Sequence, residues 1–472
     1  MSYPTYPEYR ASRFLEAEGF PARSRWLSEA TPPDRQPQIN CTPAGVPAGW
    51  EERRLKFVAT CNDETLPETT DPDFEIAYVD ISSVNLVDGI TAVEVLPFEK
   101  APSRARRIVR EGDTIISTVR TYLKAIAPIK APPDNMIVST GFAVVRPLEF
   151  LAPQFLGYAL QNATFIDAVV ANSTGVSYPA INPSTLIGLV VSYPKNETEQ
   201  QQIAAFLDWK TGQIDALTTK KKELLEKLKE QRRAVITQAV TKGLNTAAPL
   251  RDSGIPWLGQ VPKHWEVIPL GFLITMLGGM TPSMANSEYW EGDIPWVTPK
   301  DMKQPRISDS TDRITEKALA ETSISLIPTH TVLVVVRGMI LAHSFPTAVT
   351  ERPVTINQDM KALRTGDKLE VEYLFWSLVG FGKIFSALAQ ESAHGTRKME
   401  TETLKKFTFP VPPRNEQKEI SHDLEKRLRK LDKLAQATES TIARLTEYRT
   451  ALITAATTGK IDVRGWRGAR GT

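Results

Sequence analysis

Histidines, carboxylates and a glycine–lysine pair near the end of the sequence are residues of this chain with chemistry suited to catalysis, and their spacing assembles no catalytic site. The five histidines, His264, His330, His343, His394 and His422, are scattered without metal-ligand spacing. Pro72-Asp73 with Glu75 offers two carboxylates of a nuclease-like cluster but lacks a lysine two residues after the glutamate. Gly459-Lys460 is followed by isoleucine and has no glycine-rich approach, so it is not a phosphate loop. No Gly-x-Gly-x-x-Gly and no Asn-Pro-Pro-aromatic or Asp-Pro-Pro-aromatic tetrapeptide occurs. Cys41 and Cys61 are the two cysteines; they build no disulfide framework, fit no common zinc spacing, and suit a reducing compartment.

What the chain does concentrate is positive charge. Lys100, Arg104, Arg106, Arg107, Arg110, Arg120 and Lys124 stand against Glu111 and Asp113, a local excess of +5 in a protein whose net charge is +2. Arginine can grip guanine O6 and N7 with both arms of its fork, whereas lysine mostly serves phosphates. A solvated loop with ordinary surface charge accounts for the same residues. Lys300, Lys303 and Arg306 form a smaller basic segment further on. The tail residues Arg464, Arg467 and Arg470 suit nonspecific phosphate attraction or disorder alike.

The elements that must position these residues occur twice. At an offset of 217 positions, Glu199-Gln200 returns as Glu416-Gln417, Ile203 as Ile420, Leu207 as Leu424, Asp215 as Asp432 and Arg232 as Arg449. The opening phrase Val46-Pro47-Ala48-Gly49-Trp50-Glu51 returns as Val261-Pro262-Lys263-His264-Trp265-Glu266. Inside each copy, short β-branched runs predict strands: Ile76–Val79, Thr114–Val119 and Phe142–Val145, then Ile294–Val297, Thr331–Val336 and Lys361–Leu363. Apolar spacing of three and four predicts a helix over Gln154–Val170 and another over Glu372–Ala389. The result is an α+β domain used twice.

Prolines and a polar cap, Asn196 or Thr198 in the first copy and Asn415 in the second, then precede a periodic stretch predicted to be a helix of about 40 residues, roughly 60 Å long. Leu207, Ile214, Leu228 and Val235 share one heptad position, with Leu217 and Leu224 on its partner; Leu424, Leu431, Leu445 and Leu452, with Leu434, fill the equivalent places. Because 217 is a multiple of seven, the heptad phase is the same in both helices. Such seams need another long helix, which this chain itself or a second chain can supply. The expected boundaries are an extension over 1–44, a domain over 45–193, a helix region over 194–244, a linker and second domain over 245–411, a second helix region over 412–463, and a basic tail over 464–472. The extension holds seven prolines, with a helical piece expected around Arg13–Glu18.

The basic residues fall at repeated places. Arg120-Thr121-Tyr122-Leu123-Lys124 follows a predicted strand, and Arg337 follows the equivalent strand, which points to a shared role such as phosphate clamping. A buried structural arginine is the competing reading. Gly175 precedes Ser177-Tyr178, and Gly395 precedes Thr396-Arg397-Lys398; these paired loops differ in content, as two loops reading different sequences should. His394 beside Gly395 could bond a base or phosphate or be an ordinary loop residue.

At 472 residues and 41% hydrophobic content the chain has room for about three domains with sizeable cores. Met1–Arg10 lacks the basic start and apolar core of a signal peptide, and the best apolar run, Val332–Ala342, is too short to span a bilayer and is broken by Arg337. A soluble, cytoplasmic protein without membrane partners is expected.

The phrases Pro-Val-Pro-Pro-Arg-Asn-Glu-Gln-Lys-Glu-Ile (410–420) and Thr-Glu-Tyr-Arg-Thr-Ala-Leu-Ile-Thr-Ala-Ala-Thr-Thr-Gly-Lys-Ile-Asp (446–462) resemble a specificity subunit of a type I restriction-modification system. Ser-Thr-Gly-Phe-Ala-Val-Val-Arg-Pro (139–147), Gly-Val-Ser-Tyr-Pro-Ala-Ile-Asn (175–182) and Ser-Gly-Ile-Pro-Trp-Leu-Gly (253–259) carry the resemblance further, over essentially Val46 to Asp462. It implies two tandem α+β target-recognition domains joined by two long helices in an antiparallel coiled coil, with an internal pseudo-two-fold repeat. Each domain would read one half of a bipartite site in double-stranded DNA, and the helices would set the gap. Two methyltransferase subunits using S-adenosylmethionine and two restriction subunits using ATP and Mg would be the partners, with no cofactor in this non-catalytic chain. The rival expectation is a coiled-coil protein scaffold that does not bind DNA.

Overall fold

The computed structural model describes residues 46–391, 395–466 and 468. The helical piece expected around Arg13–Glu18, together with Cys41, His394, Arg467 and Arg470, lies outside the described residues. The chain divides into two compact units, one of Met1–Lys220 with Thr441–Thr472, the other of Lys221–Ser440. Both boundaries fall inside long helices, Glu197–Lys242 and Arg414–Thr457.

In the first unit the buried runs form two four-stranded sheets. One has the order Glu94–Pro97, Glu75–Val79, Met136–Ser139, Ala105–Ile108, with a parallel pair at its centre. The other is antiparallel, in the order Ala59–Cys61, Phe142–Pro147, Thr114–Ser117, Ile126–Pro128. Strand Trp50–Arg54 pairs with Val190–Pro194, bringing the opening phrase beside the start of the long helix. There Trp50 Nε1 donates to Glu199 Oε1 at 3.2 Å. Gln200, fully buried, donates to Pro194 O (2.8 Å) and Phe150 O (3.2 Å) and accepts from Ala152 N (2.7 Å). That bonding satisfies backbone groups that burial would otherwise leave orphaned.

The second unit repeats this logic. A five-stranded sheet runs Ile274–Gly278, Met360–Thr365, Val332–Val335, Thr347–Thr350, Arg306–Ile307, beside a three-stranded one of Asp312–Ile314, Trp290–Val297 and Thr355–Ile356. Glu266–Pro269 pairs with Thr408–Val411, as the opening strand does in the first unit. Gln417 reproduces Gln200: it donates to Pro412 O and Lys368 O and accepts from Glu370 N. Trp257 of the Ser253–Gly259 phrase stacks on Phe407, with centroids 4.9 Å apart.

The helix expected over Gln154–Val170 is two helices, Pro153–Gln161 and Ala163–Ala171. Asn162 separates them: its backbone is extended, and its Oδ1 caps the second helix by accepting from Phe165 N at 2.7 Å. The helix expected over Glu372–Ala389 likewise breaks at Phe381 into Val371–Gly380 and Gly382–Leu388, bent by 65°. No single helix among the described residues is long and apolar enough to cross a membrane, and this bent pair is built on Tyr373, Leu374, Leu378, Phe381 and Phe385, all buried in the core of the second unit.

The long helices begin where prolines release them. Asn196 caps the first through Oδ1 and Thr198 N at 2.8 Å; the second starts at Arg414 after Pro413, so Asn415 is a residue inside it rather than its cap. In the first unit the start of the first helix packs on the end of the second, with Ile203, Leu207 and Ile214 in one core with Leu452, Ile453 and Ala456. In the second unit the end of the first helix, through Ile236, Ala239 and Val240, shares a core with Ile420, Leu424 and Leu428. The helices are therefore antiparallel within each unit. Arg449 bonds Asp215 at 3.0 Å in the first, and Arg232 bonds Asp432 at 3.2 Å in the second; these are the same pair under the 217-residue offset.

One half of the expected seam is corrected. Leu207, Ile214, Leu228, Leu424 and Leu452 are buried, and Leu224, Leu431 and Leu445 are half-buried, but Leu217 is 37% and Leu434 47% exposed. The partner position lies one residue later, at Thr211, Thr218 and Leu225, and at Leu428, Ala435 and Ile442. Alternating steps of four and three from Leu207 reach Thr211 and Thr218, and Thr211 Oγ1 is satisfied inside its own helix by Leu207 O at 2.7 Å. Leu217→Glu and Leu434→Glu are expected to change unfolding free energy by no more than about 0.5 kcal/mol, whereas Leu428→Ala costs about 3 kcal/mol. Urea titration of the three variants checks this.

Candidate nucleic-acid interface

In the first unit the strand Thr114–Ser117 ends in a loop that carries the basic pentapeptide. Arg120 takes a left-handed backbone (φ 50°, ψ 48°), the single turn Thr121–Leu123 follows, and Lys124 is left-handed again (φ 54°). Strain of this kind persists where the surroundings dictate it. Here a second loop does so: Val119 bridges to Ala180, Ile181 N donates to Thr118 O at 2.8 Å, and Thr121 Oγ1 lies 2.8 Å from Ser173 Oγ. The loop from Thr174 to Ala180 is closed by its own bridge and turns at Gly175 (φ 110°), where a Cβ would meet Tyr178 O at 3.1 Å. The Arg120 guanidinium lies over the Tyr178 ring, 4.7 Å from its centroid. Arg120, Tyr122, Lys124, Ser177 and Tyr178, five of the expected contact residues, are thus brought together and all exposed.

Arg104 is joined to the same rim, since Thr140 N bonds Arg104 O (2.7 Å) and Thr118 N bonds Gly141 O (2.8 Å). Its side chain, 58% exposed, pairs with Asp80 at 2.7 Å. Arg106 and Arg107 are instead tied into the sheet. Arg106 lies over Phe98 and bonds Ala105 O, and Arg107 bonds Thr65 Oγ1. Behind them Arg146 forks onto buried Asp113 with two 2.8 Å bonds and reaches Glu64 at 2.6 Å, while Arg110 also grips Glu64. The hydrogen bonds from Arg110 and Arg146 hold the Glu64 carboxyl down at about 2. A carboxyl so depressed adds stability that is complete above its ordinary value and is lost as pH falls from about 4.5 toward 2. Glu64→Gln should therefore be less stable than wild type at pH 6 and converge with it near pH 2; parallel curves in acid unfolding would count against this assignment.

In the second unit the equivalent strand, Val332–Val335, leads into Arg337–Gly338, which pairs antiparallel with Arg397–Lys398; that strand in turn pairs with Gln390–Glu391. Arg337 stands opposite Lys398, and like charges across a ladder repel, an arrangement that a polyanion relieves. Lys398 Nζ meets Glu400 at 2.8 Å, Arg397 reaches Ser386 O, and half-buried Thr396 precedes them in the chain. Lys300 and Lys303 are exposed beside the turn made by Asp301. Arg306 is not available in the same way: it forks onto Glu372 at 2.7 and 2.8 Å, over the Phe375 ring. The described histidines stay apart, His264 bonding Glu416 at 2.7 Å.

Beside Tyr122, an expected contact, stand exposed apolar residues that the sequence did not single out: Leu123, Met339, Ile340 and Val176. Tyr122 and Leu123 are each 52% exposed, and Met339 and Ile340, which occupy the same places under the 217-residue offset, are 70% and 43% exposed. Val176, at the tip of the Gly175 loop, is entirely exposed. Their hydrophobicity signalled core; only the left-handed turn residues around them betray a tip.

The pattern of the type I restriction modification DNA specificity domain matches residues 47–227 and again 262–444. The chain belongs to that family. It carries the domain twice, and each match joins one α+β body to the first portion of the long helix that follows it. Among relatives, the EcoR124I/EcoR124II specificity subunit of Escherichia coli is 36% identical over 164 residues, 34% of this chain and 40% of that protein. The MjaIX specificity subunit of Methanocaldococcus jannaschii is 33% identical over 169 residues, so the chain spans about two-fifths of the length of these two relatives. The HindI specificity subunit of Haemophilus influenzae aligns more fully, at 23% identity over 78% of this chain and 90% of that one. Of solved structures, a chain from work on complex assembly and conformational transition of the type I R-M system has the same fold (TM-score 0.72, 24% identity, 88% of this chain and 99% of that one). The HsdS subunit from Thermoanaerobacter tengcongensis matches at a TM-score of 0.51 and 25% identity, over 89% of this chain and 99% of that one. Two tandem α+β recognition domains with long helices are thus the architecture of this family member.

Proposed function

We propose that this specificity subunit reads a bipartite, asymmetric DNA site, one half with each unit, and directs partner adenine methyltransferase and restriction subunits to it. The observation that carries the reading is the loop pair built twice: an arginine after the same strand, Arg120 and Arg337, faces a glycine-led loop whose content differs, Ser177-Tyr178 in one unit and Thr396-Arg397-Lys398 in the other. A shared cation suits phosphates, which are the same everywhere; the differing loops suit bases, which are not. The chain itself is non-catalytic and holds no cofactor. Two methyltransferase subunits supply S-adenosylmethionine chemistry on a flipped adenine, and two restriction subunits supply ATP- and Mg-dependent work, in the cytoplasm.

Mapping methylated adenines across the genome of cells expressing the chain with its neighbouring methyltransferase tests this. A bipartite methylated motif that vanishes without the chain is expected, and exchanging one unit for that of a relative should alter one half only. Methylation unchanged by removing the chain, or both halves altered by one exchange, would overturn the reading.

A further inference from the structure

The two units present different residues for base reading, yet they repeat an exposed apolar pair. Tyr122-Leu123 and Met339-Ile340 occupy the same repeat positions, one residue beyond Thr121 after Arg120 and one residue beyond Gly338 after Arg337. Large apolar side chains at a polyanion-binding edge gain nothing from phosphates. The apolar surfaces a duplex offers are base faces, sugars and thymine methyls.

Each pair is also mounted rigidly. In the first unit the turn is bracketed by left-handed Arg120 and Lys124, and Thr121 is buried against Ser173. In the second, Gly338 (φ 146°) opens the turn Met339–Ala342, whose Leu341 is fully buried. A side chain that must push between stacked bases needs such a mounting, because a soft loop would yield before the stack does.

Resting on the DNA-recognition reading above, we propose that these pairs are wedges: Leu123 with Tyr122, and Ile340 with Met339, enter the duplex beside the clamping arginine and unstack a single base step in each half-site. Leucine, isoleucine and methionine are the residue types that wedge between base steps elsewhere. Recurrence of apolar character with change of identity fits a sequence-tolerant act common to both halves. Unstacking costs a few kcal/mol per step, and a step already opened lowers what a methyltransferase must supply to swing its adenine out.

The test uses the complete complex with its methyltransferase subunits and duplexes carrying its methylated motif. In each duplex one base other than the target adenine is 2-aminopurine, whose fluorescence rises when it unstacks. Wild type should brighten one position in each half-site. Tyr122→Ser with Leu123→Ser should abolish the signal in one half and leave the other, and Met339→Ser with Ile340→Ser should do the reverse. Failure of the wild-type complex to prefer its motif over random DNA would sink the recognition reading itself. Preferential binding with no brightening, or brightening that survives both double variants, would overturn the wedge and leave that reading standing.

Discussion

Replacing Arg120 and Arg337 together by alanine is expected to weaken DNA binding about 100-fold near physiological salt, roughly tenfold for each charge-assisted bond lost. Both residues follow the same strand, and each is exposed on the edge where two loops meet. If they clamp phosphates, the plot of log affinity against log salt becomes shallower by about 0.9 per contact, and the recognised sequence stays the same. Arg120→Lys then keeps much of the affinity, because a point charge serves a phosphate. Anisotropy titrations over a salt series decide it. An unchanged slope, or a relaxed sequence preference in Arg120→Lys, would make the residue a base reader instead.

Large stability effects are expected at Gln200 and Gln417. Each amide is fully buried and joins three backbone groups from the strand before its helix and the body beside it. Alanine leaves two carbonyls and one N–H without a partner where water does not reach, which costs about 3 kcal/mol at either site. The losses should appear in different units, so Gln200→Ala lowers the unfolding transition of the first and Gln417→Ala that of the second. Chemical denaturation followed by proteolysis mapping would separate them, and a loss below about 1 kcal/mol at both would refute the account.

The repeat made the architecture legible. Heptad phase, strand runs and the Glu-Gln phrase survive in sequence because they answer to local geometry and to burial, which composition records. The breaks at Asn162 and Phe381 were hidden because periodicity continues through them; only the Asn162 side chain, bonding Phe165 N and Thr457 Oγ1, explains why the chain turns there. The seam was misassigned at Leu217 and Leu434 because leucine looks more buried than the smaller residues one position later, Thr218 and Ala435, which face the seam. At the interface the repeated arginines were readable, but the fate of neighbouring cations was not. Arg106, Arg107 and Arg306 share the charge and near-sequence of Arg104 and Arg120, and only distant partners, Phe98, Thr65 and Glu372, divide the two groups. Position along a chain does not encode which acid or ring waits across a sheet.

The division of the chain also sets an order of events at the ribosome. The unit made of residues 221–440 is contiguous and can close as soon as it emerges. The one that begins earlier cannot, since its core lacks Leu452, Ile453 and Ala456 until the segment 441–472 has been added. At elongation of about 5–20 residues per second, the first-made half waits on the order of 10–50 s with Leu207 and Ile214 lacking the part of their core that Leu452, Ile453 and Ala456 supply. A nascent chain stalled or truncated near Ser440 therefore keeps its later-made recognition unit and forfeits its earlier one, the reverse of what vectorial synthesis usually spares.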